Sequence, residues 1–410
     1  MAPRRNSSLE VSGSTEPDFE GVRDAFRANL RDRGELGAAF AVYHHGRKVV
    51  DLWGGHSDRE RTRPWQEDTV TTVFSTTKGI AAMALALAHS RGLIEWDVPV
   101  AHYWPEFAQA GKQDITVRQL NAHQAGLSGI DEPLDVSILE DLDRLAEILA
   151  RQKPDWEPGL RHGYHAVSLG WFQSELLRRV DPQHRSLGRF LREEITEPLG
   201  VDFYIGLPRD FPGSRVATID PISVSRSLLS LGRPHALPGK LVLGMLNRRS
   251  RPGRAFANPR VRGPADFNRL PAMRAVEIPS VNGIGDARSI ARLYSCFATS
   301  GHELGLAKRT LDSLMEEPPM PLGGYEDLVL GADTVFALGF MKPSPVYDFA
   351  SSRRAFGTPG AGGSFGFADP DARVGMAYVM NRMGGYLVDD PREKALRDAT
   401  YRALARVGPA

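Results

Sequence analysis

Ser75 stands three residues ahead of Lys78, at the mouth of an apolar run from Ile80 to Ala88. On a helix that spacing puts both side chains on one face of the first turn. A serine hydroxyl is a poor nucleophile until a neighbour takes its proton, and a lysine desolvated among apolar side chains can be neutral enough to do so. The pair therefore supplies nucleophile and base together. A Ser-x-x-Lys arises about once by chance in a chain of this length, and the plain alternative is a serine N-cap followed by a surface lysine. Lysine is scarce beside arginine here, however, and no other serine precedes a lysine by three.

Two further stretches could complete a site. Trp156 to Ala166 runs through a Pro158-Gly159 turn and delivers Tyr164 just before a new helical pattern. A phenol beside Ser75 and Lys78 could relay the proton to a leaving group and later help activate water; taken alone, it is a packing aromatic. Phe356 to Gly366 concentrates glycine between two strand patterns, as happens where another backbone or a ligand comes close. Backbone N–H groups on such an edge can point at a developing oxyanion. The same stretch contains Gly362-Gly363-Ser364-Phe365-Gly366, the pattern that elsewhere places a serine on a strand-to-helix turn and needs an acid and then a histidine downstream. No histidine follows Ser364 and the next residues read as strand. Ser364 is read as part of the oxyanion strand and its turn.

The elements that must position these residues follow from periodicity. Residues 1–18 are rich in Ser, Pro and Glu without an apolar period, so they are expected to be mobile. Phe19, Val22, Phe26 and Leu30 form a helical stripe over Phe19–Arg33, and Gly37–Tyr43 and Lys48–Trp53 read as a hairpin through His44-His45-Gly46. Two histidines in a turn, with no third ligand nearby, make no metal site. From Ser75 to about Gly232 the pattern is mainly helical, at 75–91, 116–123, 138–152, 165–180 and 186–197. Residues 235–272, rich in Arg, Pro and Gly, read as a long surface excursion able to act as a lid. A helix at 286–301 precedes strand patterns near Val335–Met341, Arg354–Gly357, Phe365–Ala368 and Val374–Asn381, and a closing helix covers Pro391–Arg406. The expected fold is α+β: an antiparallel sheet built from both chain ends (19–74 and 285–410), a mainly helical domain between them (75–284), and a cleft where they meet.

With 410 residues, 41% of them hydrophobic, the chain can bury a large core. Fifty-one basic against 50 acidic side chains leave a formal charge of +1, which gives no footprint for nucleic acid. The lone Cys296 can form no internal disulfide and reads as an inert core thiol. Arg4 and Arg5 are followed by no apolar core, and no apolar run reaches membrane-spanning length. The expectation is a cytoplasmic protein with a small-molecule substrate and no membrane partner. No metal or organic cofactor is implied, and no oligomeric state can be read.

The ordered set Ser75-Thr76-Thr77-Lys78, Trp156-x-Pro158-Gly159 with Tyr164 close behind, and a glycine-rich strand near the C-terminus resembles the class C β-lactamase and penicillin-binding-protein-like superfamily. It looks most like the serine carboxylesterases with a β-lactamase fold. The resemblance runs from about residue 20 and includes Thr116–Leu127 and Asn282–Arg292. It implies that Ser75 is the acylated nucleophile, Lys78 its activating partner, and Tyr164 the general base and proton relay. The implied oxyanion hole is the backbone N–H of Ser75 and of Ala361. Two motifs depart from the family pattern: Tyr164-His165-Ala166 lacks the amide that would hold the lysine, and Thr358-Pro359-Gly360 lacks the cation that would hold a substrate carboxylate. His165, Thr358 and Gly360 are then the residues expected to face substrate, with Arg353 or Arg354 as substitutes for the missing charge. The activity implied is hydrolysis of carboxylic esters through an acyl-enzyme. Acyl transfer or peptide-cyclising thioesterase chemistry is the alternative, ahead of β-lactamase or D-Ala-D-Ala peptidase activity and of a non-catalytic binding protein.

Overall fold

The computed structural model describes residues 10–222 and 233–407. In chain order the strands are β1 (Val11–Thr15), β2 (Gly37–His44), β3 (Arg47–Gly55), β4 (Thr71–Thr72), β5 (Phe203–Tyr204), β6 (Ile284–Gly285), β7 (Phe336–Ala337), β8 (Phe340–Met341), β9 (Phe356–Pro359), β10 (Phe365–Asp369) and β11 (Val374–Met380). Eight of them form one sheet in the order β1-β3-β2-β11-β10-β9-β8-β7. Every neighbouring pair is antiparallel. The two chain ends join where β2 pairs with β11, Phe40 opposite Tyr378. The short strands β4, β6 and β5 make a second sheet beside the helical part. The α+β architecture with a sheet drawn from both ends is thus the one expected.

β11 is buried along its whole length and β2 over its first six residues. Neither alternates apolar with polar, because helices cover both faces of the sheet. Helix α1 (Glu20–Asp32) packs with the terminal helix Pro391–Val407 on one side. On the other lie the helix Ala287–Ala298 and α2 (Thr76–Ser90). Helix Ala287–Ala298 approaches the sheet closely enough to require glycine: a Cβ on Gly375 would lie 2.2 Å from the Ser295 nitrogen. From Thr76 to His89 every residue of α2 is buried, which is the meaning of a run that is apolar all round.

Three expectations change. Residues 1–9 of the segment read as mobile lie outside the described residues, but Val11–Thr15 is an edge strand paired with β3, Gly13 opposite Leu52. Its pairing uses backbone groups alone, so no apolar pattern announces it. The single strand expected over Val335–Met341 is a tight hairpin, β7 and β8, because Leu338 and Gly339 both take positive φ (50° and 90°), the geometry of a two-residue turn that follows strand twist. The excursion 235–272 is not irregular; it carries short helices at Gly239–Leu246, Arg251–Ala255, Asp266–Arg269 and Pro271–Ala275. Cys296 is buried and its thiol is pushed up to about 12 by that burial.

Candidate active site

Ser75 sits at the N-terminus of α2, immediately after Phe74, a non-glycine residue at φ 49°. That left-handed conformation is unfavourable for a bulky side chain and has to be held from outside. The clamp is visible. Val73 N–H donates to the Gly283 carbonyl at 2.9 Å, Gly283 N–H donates to Thr77 Oγ1 at 2.9 Å, and Thr77 Oγ1 donates back to the Phe74 carbonyl. The Ser75 hydroxyl makes no capping bond to its own helix, so it is left for other partners.

One turn on, Lys78 is 1% exposed. Its Nζ lies 3.3 Å from Ser75 Oγ, 2.6 Å from the Ala166 carbonyl and 3.0 Å from the Ser280 carbonyl. Burial alone drives its pKa well below the usual lysine value of 10.5. The lysine-holding amide absent from Tyr164-His165-Ala166 is replaced by a main-chain oxygen of the same tripeptide. Tyr164 is buried, hydrogen-bonded to the Ser75 side chain, and its ring centroid is 4.7 Å from Lys78 Nζ. Desolvation raises its phenol above the ordinary value of 10.0, outweighing the Ser75 hydrogen bond. The ring stacks on Phe336 at 5.7 Å, and its backbone N–H donates to Asp327 Oδ1 at 3.1 Å. The same carboxylate oxygen accepts from Val329 and Leu330 N–H, each at 2.8 Å, so one buried acid fixes where Tyr164 enters the site.

The third element is the turn between β9 and β10. Gly360 N–H donates to the Ser364 carbonyl at 2.7 Å and Gly363 N–H to the Gly360 carbonyl at 3.1 Å. Ser364 Oγ donates to the Val73 carbonyl at 2.8 Å and lies 3.1 Å from Thr76 Oγ1. This hydroxyl ties the glycine turn to the turn that carries Ser75. Ser364 is 1% exposed, too buried to attack a substrate, as its reading as a turn residue requires. On the far side Arg392 Nη2 donates to the Gly362 carbonyl at 2.9 Å. Ser75 and Ala361 both line one cavity, and neither N–H donates to another described backbone group.

That cavity, of about 310 Å³, is lined by Ser75, Tyr164, Thr358, Gly360 and Ala361 together with Leu237, Leu241, Met245, Phe256, Val335, Phe336, Met341, Val346 and Tyr347. Among the described residues no lysine, arginine or histidine lines it, and Asp333 is the one carboxylate. Three sequence readings are corrected here. His165 does not face the cavity: it is fully buried, Leu127 N–H donates to its Nε2 at 3.0 Å, and its Nδ1 lies 2.9 Å from the Gly163 carbonyl. Burial pushes its imidazole down to about 3, so it braces the Tyr164 turn as a neutral ring. Arg353 and Arg354 do not supply the missing cation either; they are largely exposed, lie 3.9 Å from Glu317 and 3.3 Å from Asp371 respectively, and do not line the cavity. Sequence reasoning missed Asp327, Arg392 and the Ser280 carbonyl, none of which sits in a recognisable motif.

The Beta-lactamase family model matches residues 22–400. Esterase/beta-lactamase LipL of Mycobacterium tuberculosis is 34% identical over 388 residues, which is 93% of this chain and 86% of that protein. A family VIII carboxylesterase superposes with a TM-score of 0.83 at 38% identity, covering 96% of this chain and 100% of that one. A penicillin-binding protein homologue from Caulobacter crescentus gives 0.81 at 38% identity, again over 96% and 100%. With a family match running almost end to end and a relative 34% identical over most of both chains, this protein belongs to the Beta-lactamase family.

Proposed function

We propose that the protein is a serine hydrolase that cleaves carboxylic esters through an acyl-enzyme on Ser75. The observation that carries this reading is Lys78: buried, 3.3 Å from the serine oxygen, and held by backbone carbonyls with no carboxylate among the described residues to keep it charged. A lysine in that setting rests as the free amine and can take the serine proton. Ser75 Oγ then attacks the ester carbonyl carbon, its proton passes to Lys78, and the oxyanion accepts hydrogen bonds from the Ser75 and Ala361 N–H groups. Collapse expels the alcohol, whose oxygen takes a proton relayed through the Tyr164 phenol and replaced from Lys78. Water attacks the acyl-enzyme by the same route in reverse and releases the acid. The resemblance gives the base role to Tyr164; its raised pKa favours Lys78 for the first proton and leaves Tyr164 the relay.

The described residues give the cavity apolar walls, one carboxylate and no cation, which favours a neutral, apolar ester over a substrate bearing its own carboxylate, as β-lactams and D-alanyl peptides do. The carboxylesterase name of the family VIII structure supports the same choice, and LipL carries both an esterase and a beta-lactamase name. The apolar roof over Ser75 supports a second reading, transfer of the acyl group to an alcohol or amine, since excluding water favours another acceptor. No helix among the described residues is long and apolar enough to cross a membrane; a cytoplasmic location belongs to this proposal and rests on the lone buried Cys296. The test is turnover of p-nitrophenyl esters by wild type and Ser75→Ala, with product analysis in added alcohol. Turnover lost in Ser75→Ala supports the assignment, an ester product identifies transfer, and equal turnover by both proteins contradicts it.

A further inference from the structure

The helix Gly239–Leu246 has two apolar sides. Leu241 and Met245 line the catalytic cavity. Leu243 and Leu246 point away from it and are 69% and 79% exposed. Leucines this open, on a short helix that already has a buried side, mark a surface that meets something apolar. Arg248, Arg249 and Arg251 follow at once in the chain, all exposed. Arg248 and Arg249 line a cleft of about 330 Å³ with Arg254 and Arg260. Asp131 and Asp155 neutralise Arg254, whereas Arg248, Arg249 and Arg260 have no ion-pair partner among the described residues. Since the whole chain carries a formal charge of only +1, this is a local concentration of free cations beside free leucines.

We propose that this face docks on an anionic lipid surface. Leu243 and Leu246 enter the boundary of the acyl layer, and the arginine cleft holds headgroup phosphates at its edge, for which the planar guanidinium fork is suited. The combination selects the partner. Nucleic acid would use the arginines and leave the leucines in water, and an apolar protein surface would leave the arginines desolvated without counter-charge. Docking brings the cavity rim, where Phe256 and Val346 are 39% and 45% exposed, toward the layer from which an apolar ester can enter. That delivery role rests on the esterase reading; the docking itself does not.

The experiment is co-sedimentation of the full chain with vesicles of phosphatidylcholine alone and of phosphatidylcholine with phosphatidylglycerol. Wild type, Leu243→Ser/Leu246→Ser and Arg248→Glu/Arg249→Glu are compared, each also carrying Ser75→Ala. Wild type is expected to bind the anionic vesicles, and each double variant to lose at least about tenfold in partitioning, while p-nitrophenyl acetate turnover in the Ser75 background stays unchanged. Binding that survives Ser75→Ala keeps this proposal independent of the esterase reading. Equal binding to neutral vesicles, no binding, or unaltered binding by both variants overturns it. A rise in melting temperature with inorganic phosphate, lost in Arg248→Glu/Arg249→Glu and unaccompanied by vesicle binding, overturns it in favour of a small-anion site.

Discussion

Replacing Gly360 by alanine tests the oxyanion geometry with the smallest possible change. A Cβ there would lie 2.3 Å from the Val73 carbonyl oxygen, 2.3 Å from Ser364 Oγ and 2.8 Å from Thr76 Oγ1. The Ser364 hydroxyl can rotate, but the Val73 carbonyl is main chain and accepts from Thr76 N–H at 3.2 Å within the nucleophile turn. Ordinary contact begins near 3.4 Å, so the shortfall is about 1.1 Å. The β9–β10 turn must back away by about that much, taking the Ala361 N–H with it. Losing one oxyanion donor costs about 10²–10³ in kcat, and overpacking costs about 1–3 kcal/mol of stability. Gly360→Ala is therefore expected to lower kcat on p-nitrophenyl butyrate by about 10²-fold, with KM little changed because the apolar walls remain. Gly21→Ala, with nothing within 4 Å of its Cβ, is the control that keeps wild-type kcat. A folded Gly360→Ala protein with kcat within about threefold of wild type refutes the Ala361 donor.

Three further outcomes follow from other parts of the site. Tyr164→Phe keeps the stack on Phe336 but removes the relay, so kcat falls by about 10²–10⁴ while urea unfolding shifts by no more than about 1 kcal/mol; unchanged kcat would dismiss the phenol. In the proposed mechanism Lys78 acts as the unprotonated amine, and its folded pKa is depressed, so kcat/KM is expected to fall as pH drops through that depressed value and to be retained above it. The unfolded chain holds this proton up to about 10.5, so stability also rises with pH between the two values; a pH–rate profile that climbs toward acid contradicts the assignment. Arg392→Met leaves the buried carboxylates of Glu35 and Asp390 without their guanidinium and leaves the Gly362 carbonyl with the Gly384 N–H alone, so denaturant titration should show a loss of about 3–5 kcal/mol, with kcat lowered as well.

That Ser75, Lys78 and Tyr164 meet was legible because their signals are local: a fixed spacing at a helix start, and an aromatic delivered by a Pro-Gly turn. What holds them is not local. Asp327 meets Tyr164 across 163 residues and Asn29 meets the Arg392 carbonyl across 363, and no periodicity in either segment marks the partner. His165 illustrates the opposite error. A histidine next to a catalytic tyrosine reads as a substrate contact, but adjacent side chains at a turn point apart, and this one is consumed by Leu127 and Gly163. The antiparallel sheet could be foreseen from strand patterns at both ends, whereas β1 could not, since an edge strand paired through its backbone needs no apolar face. The excursion 235–272 looked structureless because its helices are short and interrupted by Gly and Pro, so tertiary packing of a few residues such as Leu241, Ala255, Phe267 and Met273 rather than propensity fixes them.

The most direct measurement is intact-protein mass after incubation with a fluorophosphonate and, in a rapid-quench series, with a p-nitrophenyl ester, followed by peptide mapping. One adduct per chain is expected with both reagents, located on the peptide that carries Ser75, and none on Ser75→Ala. Adducts on another residue, or equal labelling of Ser75→Ala, would contradict the acyl-enzyme on Ser75.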